Sequence, residues 1–203
     1  MSTATLPWAF TRERLRDLFS LKRPGVTWRH DVDFSLDCAR QMAEFEAEHG
    51  VRSTYFILPR SPEYDAFDER AREAIAAILD SGHRLGTHVD LGLPREAAVS
   101  DAELQIACKR DWHLLWSHYP VSRQISFHQP PHAVLSRRIP GYDSVHDPAF
   151  DGQYVGDSRG VFRENPEEKI ARQRYVSVSL HPIWWFGEAH LVDQLRAQEA
   201  DKP

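Results

Sequence analysis

The chain has 203 residues, a formal net charge of −5 and 27% charged side chains. This length fits one domain with a sizeable core, so we expect a single domain over residues 1–203. The acidic balance and the lack of a basic run argue against nucleic acid or an anionic membrane surface as a partner. No stretch approaches the ~20 apolar residues of a membrane span. The first eight residues lack signal-peptide features, and Cys38 and Cys108 are expected to be reduced, which together predict a cytoplasmic protein.

Helical and strand patterns alternate along the chain. Helical periodicity covers residues 15–21, 36–49, 69–79, 102–118 and 190–198. Runs typical of buried strands cover residues 26–30, 53–58, 84–89, 125–128 and 175–180. Residues 136–166 are rich in turn formers, and we expect irregular structure there. This alternation predicts an α/β fold with a mainly parallel sheet.

The first predicted strand ends in two carboxylates, Asp31 and Asp33, within the segment Trp-Arg-His-Asp-Val-Asp-Phe-Ser. In an extended strand, residues two apart project from the same face, so these carboxylates would lie side by side. They repel each other unless a cation or a shared proton separates them, which indicates metal or acid–base chemistry. The alternative is a plain strand end followed by a helix cap, with Ser35 or Asp37 opening the next helix.

Three further predicted strands end at a histidine, namely His88, His128 and His181. In sheets of this kind, functional groups collect at the carboxyl ends of the strands. One such histidine would more often be structural. Asp or His at four strand ends favours a shared site.

These segments resemble the motifs of the NodB-type polysaccharide deacetylases, metal-dependent amide hydrolases with an irregular (β/α) barrel. His30-Asp-Val-Asp33 is similar to the first motif of one branch of that family. Gly82-His-Arg-Leu-Gly-Thr-His88 resembles the second motif, and Ser179-Leu-His-Pro182 resembles the last. The likeness covers about residues 28–185. Few strong strands are visible between residues 131 and 174, so we expect a barrel that is incomplete or closed by a partner subunit.

Carried over by position, the resemblance implies a role for each polar residue at the strand ends. Asp31 would be the general base, and His181 the general acid or a transition-state stabiliser. Asp33 and His88 would bind one divalent metal ion, for which zinc is the expected choice. Such an ion, held by a carboxylate and imidazoles with one position open, lowers the pKa of bound water toward ~7.

The sequence departs from the family pattern at two places. Position 92, where the family has a second motif histidine, is Gly92. His128 stands where the family has an arginine beside the base. We therefore expect His128 to be the third metal ligand, with Asp90, on the same strand face as His88, as the alternative.

Other residues near the motifs have two interpretations each. His30 would orient the neighbouring aspartate, or its ring would be satisfied by a backbone carbonyl. Asp157 would orient a histidine through a hydrogen bond, or cap a turn. Trp184 and Trp185 would form a platform for a sugar ring, although burial in the core is the more common fate of at least one of them. His83 follows a helix-stopping glycine and is expected to face solvent.

The resemblance thus implies a metal-dependent hydrolase that removes an acyl group from the amide nitrogen of a sugar-type substrate, here a cytosolic intermediate. One alternative is hydrolysis of a non-sugar amide or C–N bond at the same centre. Another is a non-catalytic relative that binds a glycan or a protein partner. Retention of Asp31 and His181 argues against a pure binder, whereas Gly92 argues for it. The substrate, the acyl group and the oligomeric state stay open.

Overall fold

A computed structural model describes residues 9–135, 137–147 and 153–200. The first eight residues, on which the signal-peptide prediction rests, lie outside the described residues, as do parts of the turn-rich stretch 136–166. The α/β fold predicted from the alternating pattern is confirmed. Seven parallel strands form one curled sheet in the order β5-β4-β3-β2-β1-β7-β6.

The strands are β1 (Val26–Val32), β2 (Ser53–Ile57), β3 (Arg84–Asp90), β4 (Val121–His128), β5 (Asp143–Ser144), β6 (Tyr154–Gly156) and β7 (Val176–Leu180). The helices are α1 (Arg12–Ser20), α2 (Leu36–Glu48), α3 (Glu69–Asp80), α4 (Asp101–Trp116), α5 (Pro166–Arg172), α6 (Pro182–Phe186) and α7 (Ala189–Ala200). Two short 3-10 turns span His132–Val134 and Ser158–Gly160. Among the described residues, no helix combines the length and apolarity that a membrane crossing requires.

Within the described parts of the chain, the sheet does not close into a full barrel. Strands β5 and β6 lie at its two edges although they follow each other in sequence, and residues 145–153 join them. The predicted incomplete barrel is therefore correct. Neither edge strand was predictable from the sequence, because two- and three-residue strands are too short to show an alternating pattern.

Alternate residues of β1 serve opposite faces of the sheet. Trp28 packs edge-on against Phe19 of α1, and His30 contacts Glu46 of α2, so these residues face the helices. Arg29 and Asp31 project to the concave face. The strand period of two thus separates a packed face from a face that carries charge.

Local capping fixes the turn between β1 and α2. The Ser35 side chain accepts a hydrogen bond from the backbone N–H of Cys38, and buried Ala39 and Met42 turn one face of α2 to the sheet. Because Ser35 supplies the cap, the carboxylate of Asp33 is not used as one. Asp33 directly follows β1, where its side chain is free to join the strand ends.

Candidate metal centre

The carboxylate of Asp33 lies between two imidazoles that come from separate strands. His88 Nε2 of β3 is 3.0 Å from Asp33 Oδ1, and His128 Nδ1 at the end of β4 is 3.1 Å from the same oxygen. The two imidazole rings are nearly perpendicular, with centroids 5.4 Å apart. We call Asp33, His88 and His128 the metal-site cluster, since their ligand atoms all lie within 4.8 Å of one another.

The loop after β2 and the turn after β4 hold this cluster in place. Ser61 donates a hydrogen bond from Oγ to the backbone oxygen of Asp33, and Tyr64 donates one from its hydroxyl to the backbone oxygen of Val32. Immediately after His128, Gln129 has a φ of 42°, a left-handed conformation that a non-glycine residue rarely adopts. Such strain persists where the surrounding structure imposes it, and it often marks functional sites.

Asp31 lies beside the cluster and pairs with a buried arginine. Arg29 Nη1 is 3.4 Å from both carboxylate oxygens of Asp31 and donates a 3.1 Å hydrogen bond to Ser126 Oγ of β4. Ser179 Oγ of β7 donates to Asp31 Oδ2 at 3.3 Å. Burial alone would raise the pKa of Asp31, but the charges of Arg29, His88 and His181 outweigh it and lower this pKa to about 2. Asp31 is therefore ionised at neutral pH.

His181, which follows β7, is held by a fully buried carboxylate. Asp157 Oδ1 accepts hydrogen bonds from the backbone N–H of His181 at 2.9 Å and from its Nδ1 at 2.7 Å. The other oxygen accepts from Trp185 Nε1 at 2.7 Å. The second ring nitrogen, Nε2, is 3.7 Å from Asp33 Oδ2. Burial acts to lower the pKa of His181, but the hydrogen bond and charge of Asp157 dominate and raise it to about 9.

The donor set fits a divalent ion. One carboxylate and two imidazoles are three protein ligands of the kind found at catalytic zinc sites. Atoms bound tetrahedrally at 2.0–2.1 Å from an ion lie about 3.4 Å apart, close to the separations from Asp33 Oδ1 found here. Burial acts to raise the pKa of Asp33, but hydrogen bonds from His128 and His88 hold it well below its usual range. The carboxylate is therefore in the charged form that a metal requires.

Three of the predicted site residues do not contribute their side chains to the centre. His30 faces away from the centre, and its Nε2 is 2.8 Å from Glu46, so its ring does not orient Asp31. Trp184 and Trp185 are only 3% and 5% exposed and pack in the core, so neither presents an open platform for a sugar.

For two others, the structure distinguishes between the alternatives. Asp157 orients His181 with its side chain, and in the turn Ser158–Gly160 that it precedes it makes no side-chain capping bond. Asp90 lies beside His128 in the β3–β4 register, and its Oδ1 accepts from the backbone N–H of Gly92 at 2.8 Å. Among the described residues, the group of ligand atoms within 4.8 Å contains His128 and not Asp90.

Sequence reasoning did not single out Arg29, which is 6% exposed and contacts the proposed base. The available signal was its position two residues before Asp31 on the same strand, which places both side chains on one face. An arginine beside the base thus comes from β1, while β4 contributes His128 instead. Relative to the pattern that the resemblance implied, the arginine comes from β1 instead of β4, and the third metal-type ligand comes from β4 instead of position 92, which follows β3.

Sequence comparisons found no matching family model and no matching curated protein. Structural comparisons did find similar folds. A family 4 carbohydrate esterase from Bacillus anthracis is 12% identical with a TM-score of 0.51, over 97% of this chain and 92% of that one. A chitin deacetylase from the fungus Colletotrichum lindemuthianum is 13% identical with a TM-score of 0.51, over 88% of this chain and 84% of that one.

A third similar structure is described as a family 4 pseudoenzyme from Bacillus anthracis. It is 16% identical with a TM-score of 0.52, over 87% of this chain and 62% of that one. The chain spans 64% of a mutant of this pseudoenzyme with restored activity, a structure that it matches at 15% identity. At such identities the likeness concerns the fold alone. The chain therefore has the incomplete α/β barrel of the polysaccharide deacetylases.

Proposed function

We propose that this protein is a metal-dependent hydrolase that removes an acyl group from the amide nitrogen of a sugar-type substrate. The observation that carries the proposal is the convergence of Asp33, His88 and His128, flanked by an ionised carboxylate and a protonated imidazole. A general base and a general acid on either side of a metal-type ligand set are what amide hydrolysis needs. The proposal includes membership of the His-Asp-Val-Asp branch of the deacetylases.

Asp33, His88 and His128 would hold the ion, for which we propose zinc because imidazole and carboxylate ligands suit it. When bound, the ion would lower the pKa of a water molecule and polarise the acyl oxygen. Asp31 is charged and is positioned by Arg29, so it can accept the proton of the attacking water. His181 is protonated at neutral pH and can donate its proton to the departing amine nitrogen.

The sugar-type substrate is supported by the fold, because similar structures include a chitin deacetylase. Hydrolysis of a non-sugar amide at the same centre is the first alternative. The second is a non-catalytic protein that binds a glycan or a partner, since one similar structure is a pseudoenzyme and position 92 is Gly92 here. A cytoplasmic location is also part of the proposal. The unpaired cysteines Cys38 and Cys108 support it, and cell fractionation would test it.

Metal analysis combined with a free-amine assay tests the function. The purified protein should contain about one divalent ion per chain and release amine from acetylated amino sugars. The Asp33→Ala and His88→Ala variants should lose the ion and about three orders of magnitude in kcat/KM, because metal assistance is worth several kcal/mol. Wild-type protein without an ion would favour the binding module, and activity only on non-sugar amides would favour the first alternative.

The histidine pair His128 and His132 provides a matched control for the ligand set. His132 lies four residues after His128, and its Nε2 accepts a hydrogen bond from Arg95 Nε at 2.9 Å. We expect His128→Ala to weaken metal retention much more than His132→Ala. The opposite order would remove His128 from the ligand set.

A further inference from the structure

We infer that the aromatic ring of Tyr154 is a substrate-binding surface of this centre, on which the sugar ring of the substrate lies. The inference rests on the proposed function and specifies where its substrate binds. It starts from the finding that both tryptophans near His181 are buried, so the centre needs another aromatic face if it binds a sugar by stacking.

The register of the edge strand places Tyr154 on the concave face. Tyr154 pairs with Ser177 and Gly156 pairs with Ser179 in the parallel β6–β7 ladder. Residues paired in this way point to the same side of a sheet. Ser179 Oγ donates to Asp31, so the Tyr154 side chain shares the face that carries the proposed base. The guanidinium carbon of Arg29 is 5.3 Å from the centroid of the tyrosine ring.

The residues around Tyr154 fix the orientation of its ring. A Cβ atom at Gly156 would lie 2.8 Å from both Tyr154 Cζ and the backbone oxygen of Ser179, so a glycine leaves room for the ring and for the pairing of β6 with β7. The Tyr154 hydroxyl is 3.1 Å from Ser158 Oγ, which fixes the far end of the side chain. The ring is therefore held before any ligand arrives, and such preorganisation reduces the entropic cost of binding.

The ring also remains accessible to a ligand. Tyr154 is 39% exposed, whereas Trp184 and Trp185 are 3% and 5% exposed. Among the described residues, the other strongly exposed aromatic side chains are Trp116 and Tyr175. Trp116 ends α4, and Tyr175 precedes β7, at the end of the strand opposite to His181. Aromatic rings bind apolar faces well, and Tyr154 is the exposed one that lies beside Asp31 and Arg29.

A competing role for Tyr154 is to cover Arg29 through a cation–π contact. The two roles differ in their kinetic signatures. A stacking surface contributes to substrate binding, so its loss raises KM, whereas a cover for Arg29 acts on the base and its loss lowers kcat or alters the pH profile.

The test uses the metal-loaded protein and the N-acetylglucosamine tetramer as a probe. Deacetylation is measured as the release of free amine, and binding is measured by saturation-transfer NMR. Tyr154→Ala should raise KM and weaken tetramer binding by about three- to tenfold, the range expected for one aromatic contact. Its kcat should be unchanged. Tyr154→Phe should retain wild-type KM, because the ring stays, and Tyr175→Ala is the matched control on the opposite end of the sheet.

One more variant protects the test against misfolding. Tyr154→Leu keeps apolar bulk without an aromatic face. It should raise KM while its thermal unfolding and metal content stay near those of the wild type. If this folded variant, or Tyr154→Ala, has wild-type KM and wild-type tetramer affinity, the inference is overturned. A loss of kcat at constant KM in Tyr154→Ala also overturns it, in favour of the cover for Arg29.

The two readouts separate this inference from the proposed function. Tetramer binding that depends on Tyr154 without amine release would support the inference and contradict the hydrolase. Amine release with unchanged KM in Tyr154→Ala would support the hydrolase and overturn the inference. A wild-type protein that neither binds nor deacetylates the tetramer overturns the sugar-binding surface.

Discussion

The sheet carries a carboxylate with two histidines on each of its faces, and the two groups differ in how accessible their side chains are to solvent. On the concave face lies the metal-site cluster of Asp33, His88 and His128. Behind it, between the sheet and α2, lies a second group that we call the Glu46 network, formed by these residues: His30, Glu46, Ser53, Tyr55 and His83.

The Glu46 network is closed to solvent. Glu46 is fully buried and accepts hydrogen bonds from His30 Nε2 at 2.8 Å, Ser53 Oγ at 2.7 Å and Tyr55 Oη at 2.7 Å. His83 is also buried. Its Nδ1 accepts a hydrogen bond from the backbone N–H of Ser53, and its Nε2 lies 2.9 Å from the backbone oxygen of Ala43. The expectation that His83 faces solvent is therefore wrong. Three donors occupy most of the roughly four acceptor positions of a carboxylate, and the burial of Glu46 keeps a ligand from the remaining one.

The metal-site cluster is open to solvent by comparison. Both imidazoles approach the same oxygen of Asp33. The buried Nδ1 of His88 makes no hydrogen bond, and the Nδ1 of His30 in the Glu46 network makes none either. The side chain of His128 is 23% exposed, so the cluster is reached from solvent. Residue type and unused polar atoms do not separate this site from the structural network behind it, whereas accessibility does.

The largest expected effect on stability comes from a substitution that breaks the closed Glu46 network. Glu46→Gln keeps the volume but removes the charge and the second acceptor oxygen, so buried donors lose a partner. We expect the free energy of unfolding to fall by about 3–5 kcal/mol, as for other broken buried charge networks. Chemical denaturation of the metal-free protein measures it. Ser53→Ala, which removes one donor only, should cost about 1 kcal/mol, and equal losses in the two variants would contradict this account.

The next largest effect is stabilisation by bound metal, and it tests which face of the sheet holds the ion. A metal at a hundredfold excess over its Kd should raise the free energy of unfolding of the wild type by about 2.7 kcal/mol. The increment should persist in Glu46→Gln and vanish in Asp33→Ala, because only the latter removes a ligand. Thermal unfolding with zinc and with a chelator measures both. An increment that disappears in Glu46→Gln would place the metal behind the sheet.

Long periodic elements were predictable from the sequence, and the reason is local. Alternation over β1 and β3 and the capped helix after Ser35 follow from short-range patterns, so both the strands and the polar residues at their ends could be inferred. Strands β5 and β6 could not, because they exist only through pairing with β4 and β7. The extent of the domain, predicted from length alone, stays a prediction.

The site was predictable to the extent that strand ends converge. Asp33, His88 and His128 lie at the ends of three strands, and the parallel sheet brings them together. The face shared by Arg29 and Asp31 also follows from their spacing of two on one strand. The burial of Trp184 and Trp185 depends on which neighbours fill the space, and the sequence contains no periodic signal for that. Asp157 shows the same limit, since its partner His181 lies 24 residues away.

Asp157 offers a smaller effect that sharpens the comparison, because it is as buried as Glu46 but holds a residue of the centre. Asp157→Asn should reduce kcat/KM by about 10- to 100-fold, the usual loss when a partner that orients an active-site residue is altered. The proposed acid works while His181 is protonated, so activity should fall as pH rises through its pKa. Since Asp157 raises that pKa to about 9, the alkaline limb should shift to lower pH in the variant.

Trp185→Phe is the control for this prediction. It removes one hydrogen bond to Asp157 but leaves the carboxylate charge beside His181. The alkaline limb of Trp185→Phe should therefore stay close to that of the wild type. Identical limbs in Asp157→Asn and the wild type would show that His181 does not set this part of the pH profile.

The smallest effect is an acid sensitivity that the closed network confers. Burial lowers the pKa of His83 below its ordinary value of 6.5, so its neutral form stabilises the fold fully above that pH and loses this contribution as pH falls through the lowered pKa. For Glu46, burial acts to raise the pKa, but hydrogen bonds and the charge of His30 lower it below 4.5, so its contribution is lost only in stronger acid. His83→Gln, which keeps a donor for Ala43, should remove the first phase, on the order of 1 kcal/mol. The unfolding free energies of the wild type and His83→Gln are measured with chelator between pH 7 and 5. Their difference isolates this first phase, because the groups of the concave face titrate equally in the two proteins. A constant difference across this range would mean that His83 does not change protonation on unfolding.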